Sequence, residues 1–199
     1  MLMQKKPLVS VLIANYNSAP YIHHCINSLN SQTYKNLEII FFDDNSSDKS
    51  IDVIKQFSDV KIIENKIQTK FGSLNQLNAF KEAFKISKGD LIFLLDSDDY
   101  FNKQKIEKIV DYFNNNKNAK IVFDYPLIVK NNNIYSEKTK TRFFKTYWPY
   151  IHPTSCISIK KNCFEELLKV ISYKDFTDVW LDLRICLFSK YILKDFHII

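Results

Sequence analysis

One stretch constrains the fold of this chain more than any other: an apolar run from Leu91 to Leu95 that ends in three closely spaced carboxylates. The run has the length and composition of a buried strand. The carboxylates of Asp96, Asp98 and Asp99 repel one another unless water solvates them or a cation neutralises them. A solvated acidic loop and a cation site are both open at this point. Because open α/β sheets bind ligands at the carboxyl ends of their strands, the position favours a site.

The first half of the sequence alternates between strand and helix patterns. Apolar, β-branched runs predict four strands, at 8–14, 37–42, 60–63 and 91–95. Apolar residues at helical spacing predict helices between and after them, at 18–32, 51–57, 74–86 and 102–113. Gly89 is expected to end the third helix. This order predicts an α/β fold with a Rossmann-like, mainly parallel sheet flanked by helices.

After about residue 115 the pattern changes to shorter, mixed elements. The predicted elements are strands at 121–129 and 155–159 and helices at 163–170 and 178–187. An aromatic-rich segment spans 143–150. The sequence ends on 196–199 without a polar tail, so we expect the natural chain to continue past residue 199.

Composition excludes several classes of protein. Only two glycines occur, which rules out the glycine-rich loops that bind dinucleotides or nucleoside triphosphates. The net charge of +6 comes from scattered lysines, so no nucleic-acid partner is predicted. The four cysteines form no C-x-x-C pair and are expected to be reduced and buried. With no signal-peptide pattern and no apolar run of about 20 residues, we expect a cytoplasmic protein.

Several residues that bind nucleotides or metals in other proteins follow the predicted strands. Tyr16 follows the first strand, Asp43 and Asp44 follow the second, and the three acids of the opening stretch follow the fourth. The carboxyl ends of parallel strands share one edge, so these side chains are expected to face one cleft. An aromatic ring stacks on a base, and carboxylates bind base N–H groups, ribose hydroxyls, or Mg²⁺ and Mn²⁺ together with phosphates. The pattern fits a metal-bound nucleoside diphosphate.

Each of these residues also has a purely structural interpretation. Asp43 to Ser46 is also typical of a helix-capping turn, and Tyr16 of an ordinary surface aromatic. Asp178 is equally typical of an acid favoured by the dipole at the start of the last predicted helix. The order of the residues along the chain, rather than any single one, favours the functional interpretation.

The order of these motifs resembles glycosyltransferase family 2, whose members adopt the GT-A fold. The similar segments are 9–17, 28–34, 37–40, 42–48, 89–99 and 177–184. In the last segment Asp178 precedes Arg184 by six residues, as in the family, but Thr177 stands where the family often has Glu. The resemblance extends over about residues 7–190.

The resemblance implies a nucleotide-sugar site in the first half of the chain. Ala14 and Tyr16 would line the base pocket, and Asp44 would bind the base, for which uracil is the commonest choice. The residue that contacts the diphosphate stays open. The family often has a basic or small-polar pattern and an Asn about eight residues before the position of Gly89, and this chain has Lys81 there, with Asn75 and Asn78 earlier. Lys66 and Lys70 are candidates for that contact.

The resemblance also implies the transfer chemistry. Asp96 would lie near the ribose and the metal, Asp98 would be the direct ligand of Mn²⁺ or Mg²⁺, and Asp178 would be the general base. The implied function is an inverting, metal-dependent glycosyltransferase that moves a hexosyl or N-acetylhexosaminyl group from a UDP-sugar to a glycan or lipid-linked acceptor. A single domain, 1–199, would contain a nucleotide-binding half at about 7–115 and an acceptor half at about 116–199 and serve in bacterial surface polysaccharide synthesis.

Two other functions fit parts of the sequence. Thr177 and the abrupt end of the chain are compatible with a non-catalytic module that binds nucleotide-sugars or glycans. A sugar-phosphate nucleotidyltransferase fits less well, because residues 15–17 offer no glycine-rich loop. The positive charge and the aromatics near Trp148 favour peripheral contact with the inner membrane, where lipid-linked acceptors lie.

Overall fold

The computed structural model of the chain describes residues 6–130, 133–136, 151–172 and 177–199. The strands within these residues are β1 Val9–Asn15, β2 Leu37–Asp43, β3 Val60–Glu64, β4 Leu91–Asp96, β5 Ile121–Phe123, β6 Leu127–Lys130, β7 Asn133–Ser136, β8 Ile157–Lys160 and β9 His197–Ile198. The α-helices are α1 Ala19–Asn30, α2 Ser50–Ile54, α3 Gly72–Ile86, α4 Lys105–Asn115, α5 Lys161–Ile171 and α6 Leu181–Phe188. A 3₁₀ turn, Thr154–Cys156, precedes β8, and a π-helical turn, Ser189–Leu193, follows α6.

Seven strands form one mixed sheet in the order β3-β2-β1-β4-β8-β5-β9. The four strands from the first half of the chain are mutually parallel, whereas β8 runs antiparallel to β4 and β5. β9 pairs with β5 in parallel, and β6 and β7 form a separate antiparallel hairpin. The predicted mainly parallel α/β sheet is therefore confirmed, with antiparallel pairing added by the second half.

The strand order reverses between β1 and β4, because β2 and β3 lie on one side of β1 and β4 lies on the other. Such a reversal opens a crevice at the carboxyl ends of the strands. The register pairs Ala14 of β1 with Asp96 of β4, and Asn15 of β1 with Asp43 of β2. The ends of these three strands therefore lie side by side along one edge.

An apolar layer covers each face of the sheet. On one face, Val9, Val11 and Ile13 of β1 pack with α1 and α4, and on the other face Leu12 packs with α3, α5 and α6. The four cysteines are free and buried, as predicted, and burial raises the pKa of each thiol. No helix among the described residues has both the length and the apolar character that crossing a bilayer requires.

Several elements differ from the sequence-based expectations for local reasons. The strand expected at 121–129 is broken around Pro126, which cannot donate to a strand ladder, so β5 and β6 belong to different sheets. Helix α3 ends at Ile86, and Gly89 does not adopt the positive φ of a glycine cap. Helix α6 begins at Leu181, so Asp178 precedes the helix instead of lying in its first turn. The aromatic-rich segment 143–150 lies outside the described residues.

Candidate functional site

The loops that follow β1 and β2 are locked together at the carboxyl edge of the sheet. Asn15 Nδ2 donates to Asp43 Oδ1 over 2.7 Å, and the backbone N–H of Ser46 donates to Asp43 Oδ2 over 2.9 Å. The Ser46 hydroxyl accepts the backbone N–H of Asn17 at 2.9 Å. Asn17 and Asn45 adopt left-handed conformations with φ of 52° and 55°, which asparagine tolerates better than most residues. Asp43 therefore stabilises the turn that follows β2, which agrees with the structural interpretation of this residue.

Asp44 directs its carboxylate to the loop that follows β3. Its side chain is almost fully buried, and Oδ1 accepts Asn65 Nδ2 over 2.7 Å while Oδ2 accepts Gln68 Nε2 over 2.9 Å. The same loop carries Lys66 and Lys70, both exposed. Since a carboxylate oxygen can accept more than one hydrogen bond, Asp44 keeps the capacity to accept an N–H from a ligand.

Tyr16 and Ala14 lie at the end of β1, next to this carboxylate. The backbone N–H of Asp44 donates to the carbonyl oxygen of Asn15 over 2.8 Å, which holds the two loops in contact. Tyr16 is 55% exposed, so its ring is accessible for stacking. Ala14, a small residue, stands opposite Asp96 in the β1–β4 register. The edge therefore offers an aromatic ring and a carboxylate on the β1–β2 side of the crevice.

The acids at the end of β4 have different surroundings. Asp98 is exposed, whereas Asp96 is partly buried. The hydroxyl of Ser155 accepts the backbone N–H of Asp96 over 3.0 Å and donates to Asp99 Oδ2 over 2.6 Å. Burial raises the pKa of Asp99, the hydrogen bond from Ser155 opposes the rise, and the charge of Asp98 adds to it. Asp98 therefore presents an exposed carboxylate, while Ser155 engages the carboxylate of Asp99.

The carboxyl group of Asp96 is held in an environment that disfavours its charge. Burial raises its pKa to about 7; the hydrogen bond from Gln76 opposes the rise, and the charges of Asp99 and Asp98 add to it. Gln76 Nε2 donates to Asp96 Oδ1 over 3.1 Å. Carboxylates crowded in this way are stabilised by a cation.

The donor set at this edge fits a magnesium or manganese ion bound together with a diphosphate. Among the described residues, no group of three or more His, Cys, Asp or Glu side chains forms a complete metal site. Mg²⁺ is usually held by only one or two carboxylates, with phosphate and water oxygens as the other ligands. The exposed carboxylate of Asp98 and the carboxylate of Asp96, whose charges interact, are the residues that could hold such an ion.

Asp178 lies on the exposed loop before α6, and Arg184 fixes that loop. Arg184 Nε donates to the carbonyl oxygen of Val179 over 2.7 Å, and Nη1 donates to that of Ile171 over 2.6 Å. One buried guanidinium therefore holds both sides of the segment that carries Asp178. This contact gives a physical reason for the six-residue spacing between the acid and the arginine.

Two residues of α3, missed in the sequence analysis, connect the Asp178 loop to the acids of β4. Ser73 Oγ donates to the carbonyl oxygen of Thr177, and Gln76 Oε1 accepts the backbone N–H of Leu181 over 3.4 Å. Gln76 thus contacts both Asp96 and the start of α6. Ser73 and Gln76 are three residues apart and project from the same helix face. That polar pair at helical spacing is the signal that the sequence offered.

The sequence-predicted residues therefore meet along one edge of the sheet. Tyr16 and Asp44 stand on the β1–β2 side and Asp96 and Asp98 at the end of β4, with the Asp178 loop tied to the same region through α3. Lys66 and Lys70 lie on the loop next to Asp44, and no described contact joins them to the acids of β4.

Comparison with solved structures identifies the class of fold. The chain matches the crystal structure of S. aureus TarS 1–349 with a TM-score of 0.73 and 16% identity, over 96% of this chain and 58% of that one. It matches the mannosyltransferase PcManGT of Pyrobaculum calidifontis with a TM-score of 0.67 and 16% identity, over 98% of this chain and 55% of that one. The fold is the GT-A fold of glycosyltransferases, as expected.

The chain belongs to glycosyltransferase family 2: the family model matches residues 10–180. The Escherichia coli UDP-Glc:alpha-D-GlcNAc-diphosphoundecaprenol beta-1,3-glucosyltransferase WfaP is 39% identical over 131 residues, which cover 66% of this chain and 47% of that protein. An uncharacterised glycosyltransferase of Methanocaldococcus jannaschii is 29% identical over 211 residues, which cover 95% of this chain and 70% of that protein. The chain spans about half the length of the E. coli relative and 70% of the length of the M. jannaschii relative.

Proposed function

We propose that this chain carries the donor site and the catalytic centre of an inverting glycosyltransferase that uses a UDP-sugar and Mn²⁺ or Mg²⁺. The observation that supports this proposal most strongly is that four predicted site residues lie along one edge of the sheet: Tyr16, Asp44, Asp96 and Asp98. Hydrogen bonds from α3 connect the Asp178 loop to the same edge. In this proposal Tyr16 and Ala14 line the base pocket and Asp44 accepts an N–H of the base. Asp96 would lie near the ribose and the cation, and Asp98 would hold the cation.

The proposed reaction is a single displacement. Asp178 takes the proton of the acceptor hydroxyl, because an alcohol is a poor nucleophile at neutral pH. A bond forms between that oxygen and the anomeric carbon while the bond from the anomeric carbon to the diphosphate breaks on the opposite face. The configuration of the sugar is therefore inverted. When bound at Asp98, a divalent cation supplies charge neutralisation for the departing diphosphate.

The names of similar proteins support the choice of donor and acceptor. TarS has been solved in complex with UDP-GlcNAc, and PcManGT in complex with GDP-Man and Mn²⁺. The E. coli relative is named for glucosyl transfer from UDP-Glc to a sugar diphosphate on undecaprenol. On the basis of that name we include a glycan or a lipid-linked sugar as acceptor. A cytoplasmic location and peripheral contact with the inner membrane belong to the proposal on the sequence features alone, the scattered positive charge and the aromatics near Trp148. The division into a nucleotide half, about 7–115, and an acceptor half, about 116–199, belongs to it as well.

A second candidate function is a binding module without turnover. The observation that favours it is Thr177, which stands directly before Asp178 where a glutamate is common in the family. Measuring donor hydrolysis and transfer separates the two functions. A binding module binds UDP-sugars tightly and leaves them intact, whereas an enzyme releases UDP.

Thermal unfolding in the presence of nucleotides tests the donor site. UDP with Mn²⁺, at a hundred times its dissociation constant, is expected to stabilise the protein by about 2.7 kcal/mol and to raise Tm by roughly 5–10 °C. The Asp44→Asn variant is expected to lose most of this shift. Asp52→Asn, which changes an exposed acid on α2, is the matched control and is expected to keep it. Equal unfolding temperatures with and without UDP, GDP and ADP would contradict the proposal.

Replacing Gln76 with leucine is expected to lower kcat for sugar transfer about tenfold or more, with a smaller change in KM for the donor. Leucine has a similar volume but removes the hydrogen bonds to Asp96 and to the backbone of Leu181, so both sides of the centre lose alignment. The measurement is steady-state kinetics with each UDP-sugar that the wild type turns over. Glu82→Leu, on the same helix but paired with Lys85 away from the acids of β4, is the control. Equal kcat values for the Gln76→Leu and wild-type proteins would show that Gln76 does not position Asp96 and the Asp178 loop for catalysis.

A further inference from the structure

Trp180 is an exposed aromatic residue, and one edge of its indole ring packs against another part of the chain. Its side chain is 51% exposed, and its benzo ring lies against Gly72 at the start of α3. Trp180 Cη2 is 3.1 Å and Cζ2 is 3.7 Å from the position that a Cβ would take at Gly72. Gly72 does not have a positive φ, so its lack of a side chain matters for space and not for backbone conformation. The ring edge occupies that space.

The backbone on both sides of Trp180 is tied to α3. Ser73 Oγ donates to the carbonyl oxygen of Thr177, and the backbone N–H of Leu181 donates to Gln76 Oε1 over 3.4 Å. The side chain of Leu181 is fully buried in the core. These hydrogen bonds form a frame that holds the backbone around the indole, so binding a ligand on the ring orders less of the chain than it would in a free loop.

This frame brings Trp180 close to the proposed transfer centre. The carboxamide of Gln76 alone spans the gap between Asp96 and the backbone N–H that follows Trp180. Asp178, the proposed general base, lies two residues before Trp180, which is at most about 7 Å along the chain. A group that packs on the exposed part of the indole is therefore within reach of the base.

We propose that the exposed surface of Trp180 is a stacking platform for the pyranose ring of the acceptor, an inference that rests on the proposed glycosyl transfer. One face of a pyranose presents C–H groups, which pack on the electron-rich face of an indole, while the hydroxyls point outward from the ring. A sugar held in this way has its hydroxyls directed to its rim, where Asp178 takes the proton. The platform accepts a free glycoside or the terminal sugar of a lipid-linked chain alike.

The exposure of Trp180 is not sufficient evidence for a sugar-binding role, since single exposed aromatics are common on protein surfaces. Tyr191 is also 51% exposed and lies on the π-helical turn after α6. Trp180 differs in three respects: its edge lies against a glycine, its flanking backbone is tied to α3, and it follows Asp178 by two residues. Tyr191 therefore serves as a matched control of equal exposure.

Tryptophan fluorescence tests the platform directly. The chain has two tryptophans, so Trp148→Phe leaves Trp180 as the sole indole reporter. This protein, with UDP and Mn²⁺ present, is titrated through the millimolar range with the methyl glycosides of glucose, galactose and N-acetylglucosamine. At least one glycoside is expected to change the emission of Trp180 saturably. Adding Tyr191→Ala to this background is expected to leave the response unchanged.

Kinetics on the full chain supply the second readout. Trp180→Ala is expected to raise KM for the sugar acceptor about tenfold, with the affinity for UDP unchanged, and Trp180→Phe to restore part of the loss. If UDP binds and sugar is transferred, but no glycoside alters the emission and Trp180→Ala has the wild-type acceptor KM, the platform is overturned and the proposed function stands. If UDP does not bind, the proposed function falls. The glycoside titration then decides the platform alone: a saturable response supports it and an absent response overturns it.

Discussion

Replacing Asp98 with alanine is expected to reduce sugar transfer by about a thousandfold or more while leaving the stability of the fold nearly unchanged. Asp98 is exposed beyond the end of β4, so truncating it removes no buried side chain. In the proposed mechanism its carboxylate holds the cation that neutralises the leaving diphosphate. The measurement is kcat/KM for the UDP-sugar at saturating Mn²⁺, with thermal unfolding followed in parallel.

The matched control for this variant is Asp111→Ala, which removes an exposed carboxylate from α4. It is expected to keep wild-type activity. Binding adds a readout that does not depend on turnover: Mn²⁺ is expected to strengthen UDP binding to the wild type and to have little effect on Asp98→Asn. Turnover of Asp98→Ala near the wild-type rate, with metal present, would show that the metal assignment is wrong.

Local sequence patterns predicted the strands and helices of the first half of the chain, which carries the proposed nucleotide-sugar site. The strand predicted at 91–95 is observed as Leu91–Asp96, and that predicted at 8–14 is observed as Val9–Asn15. Both are buried on two faces, which favours a mostly apolar run, interrupted in β1 by the buried Ser10. Strand–helix alternation then dictates parallel pairing through right-handed crossovers. The shared carboxyl edge, and with it the position of Tyr16 and the acids, follows from that topology.

The second half depends on contacts that no local pattern encodes. β8 inserts antiparallel between β4 and β5, and β9 adds a strand from the other end of the chain. Gln76 shows the same limit within the site, because it bonds Asp96 at a separation of 20 residues and Leu181 at a separation of 105. Helical spacing alone assigns no role to Gln76, a polar residue next to the buried Leu77. Its role depends on how α3, β4 and α6 pack together.

Replacing Gly89 with alanine is expected to destabilise the fold by about 3–5 kcal/mol, a large fraction of the total stability of a typical domain. A Cβ at this position would lie 2.5 Å from both the backbone N and Oγ of Ser10, and 2.9 Å from the carbonyl oxygen of Leu8. Two of these atoms are backbone atoms and cannot rotate away. The contact also holds a hydrogen-bond chain, in which Gly89 N–H donates to Ser10 Oγ over 2.8 Å and that hydroxyl donates to Glu38 Oε1 over 2.5 Å. Gly89 is therefore required for close packing of two backbones, and not as a helix cap.

The chain's other glycine provides the control for this prediction, because Gly72→Ala meets only the side chain of Trp180, which can shift. We expect it to change the free energy of unfolding by less than about 1 kcal/mol, measured for both variants by urea denaturation. Equal midpoints for the two variants would mean that Gly89 is not tightly packed against β1. The consequence for the site follows from the register: the β1–β4 pairing runs from Val9 opposite Leu91 to Ala14 opposite Asp96. A displacement that begins at Gly89 is therefore carried along β4 to the acids at its other end.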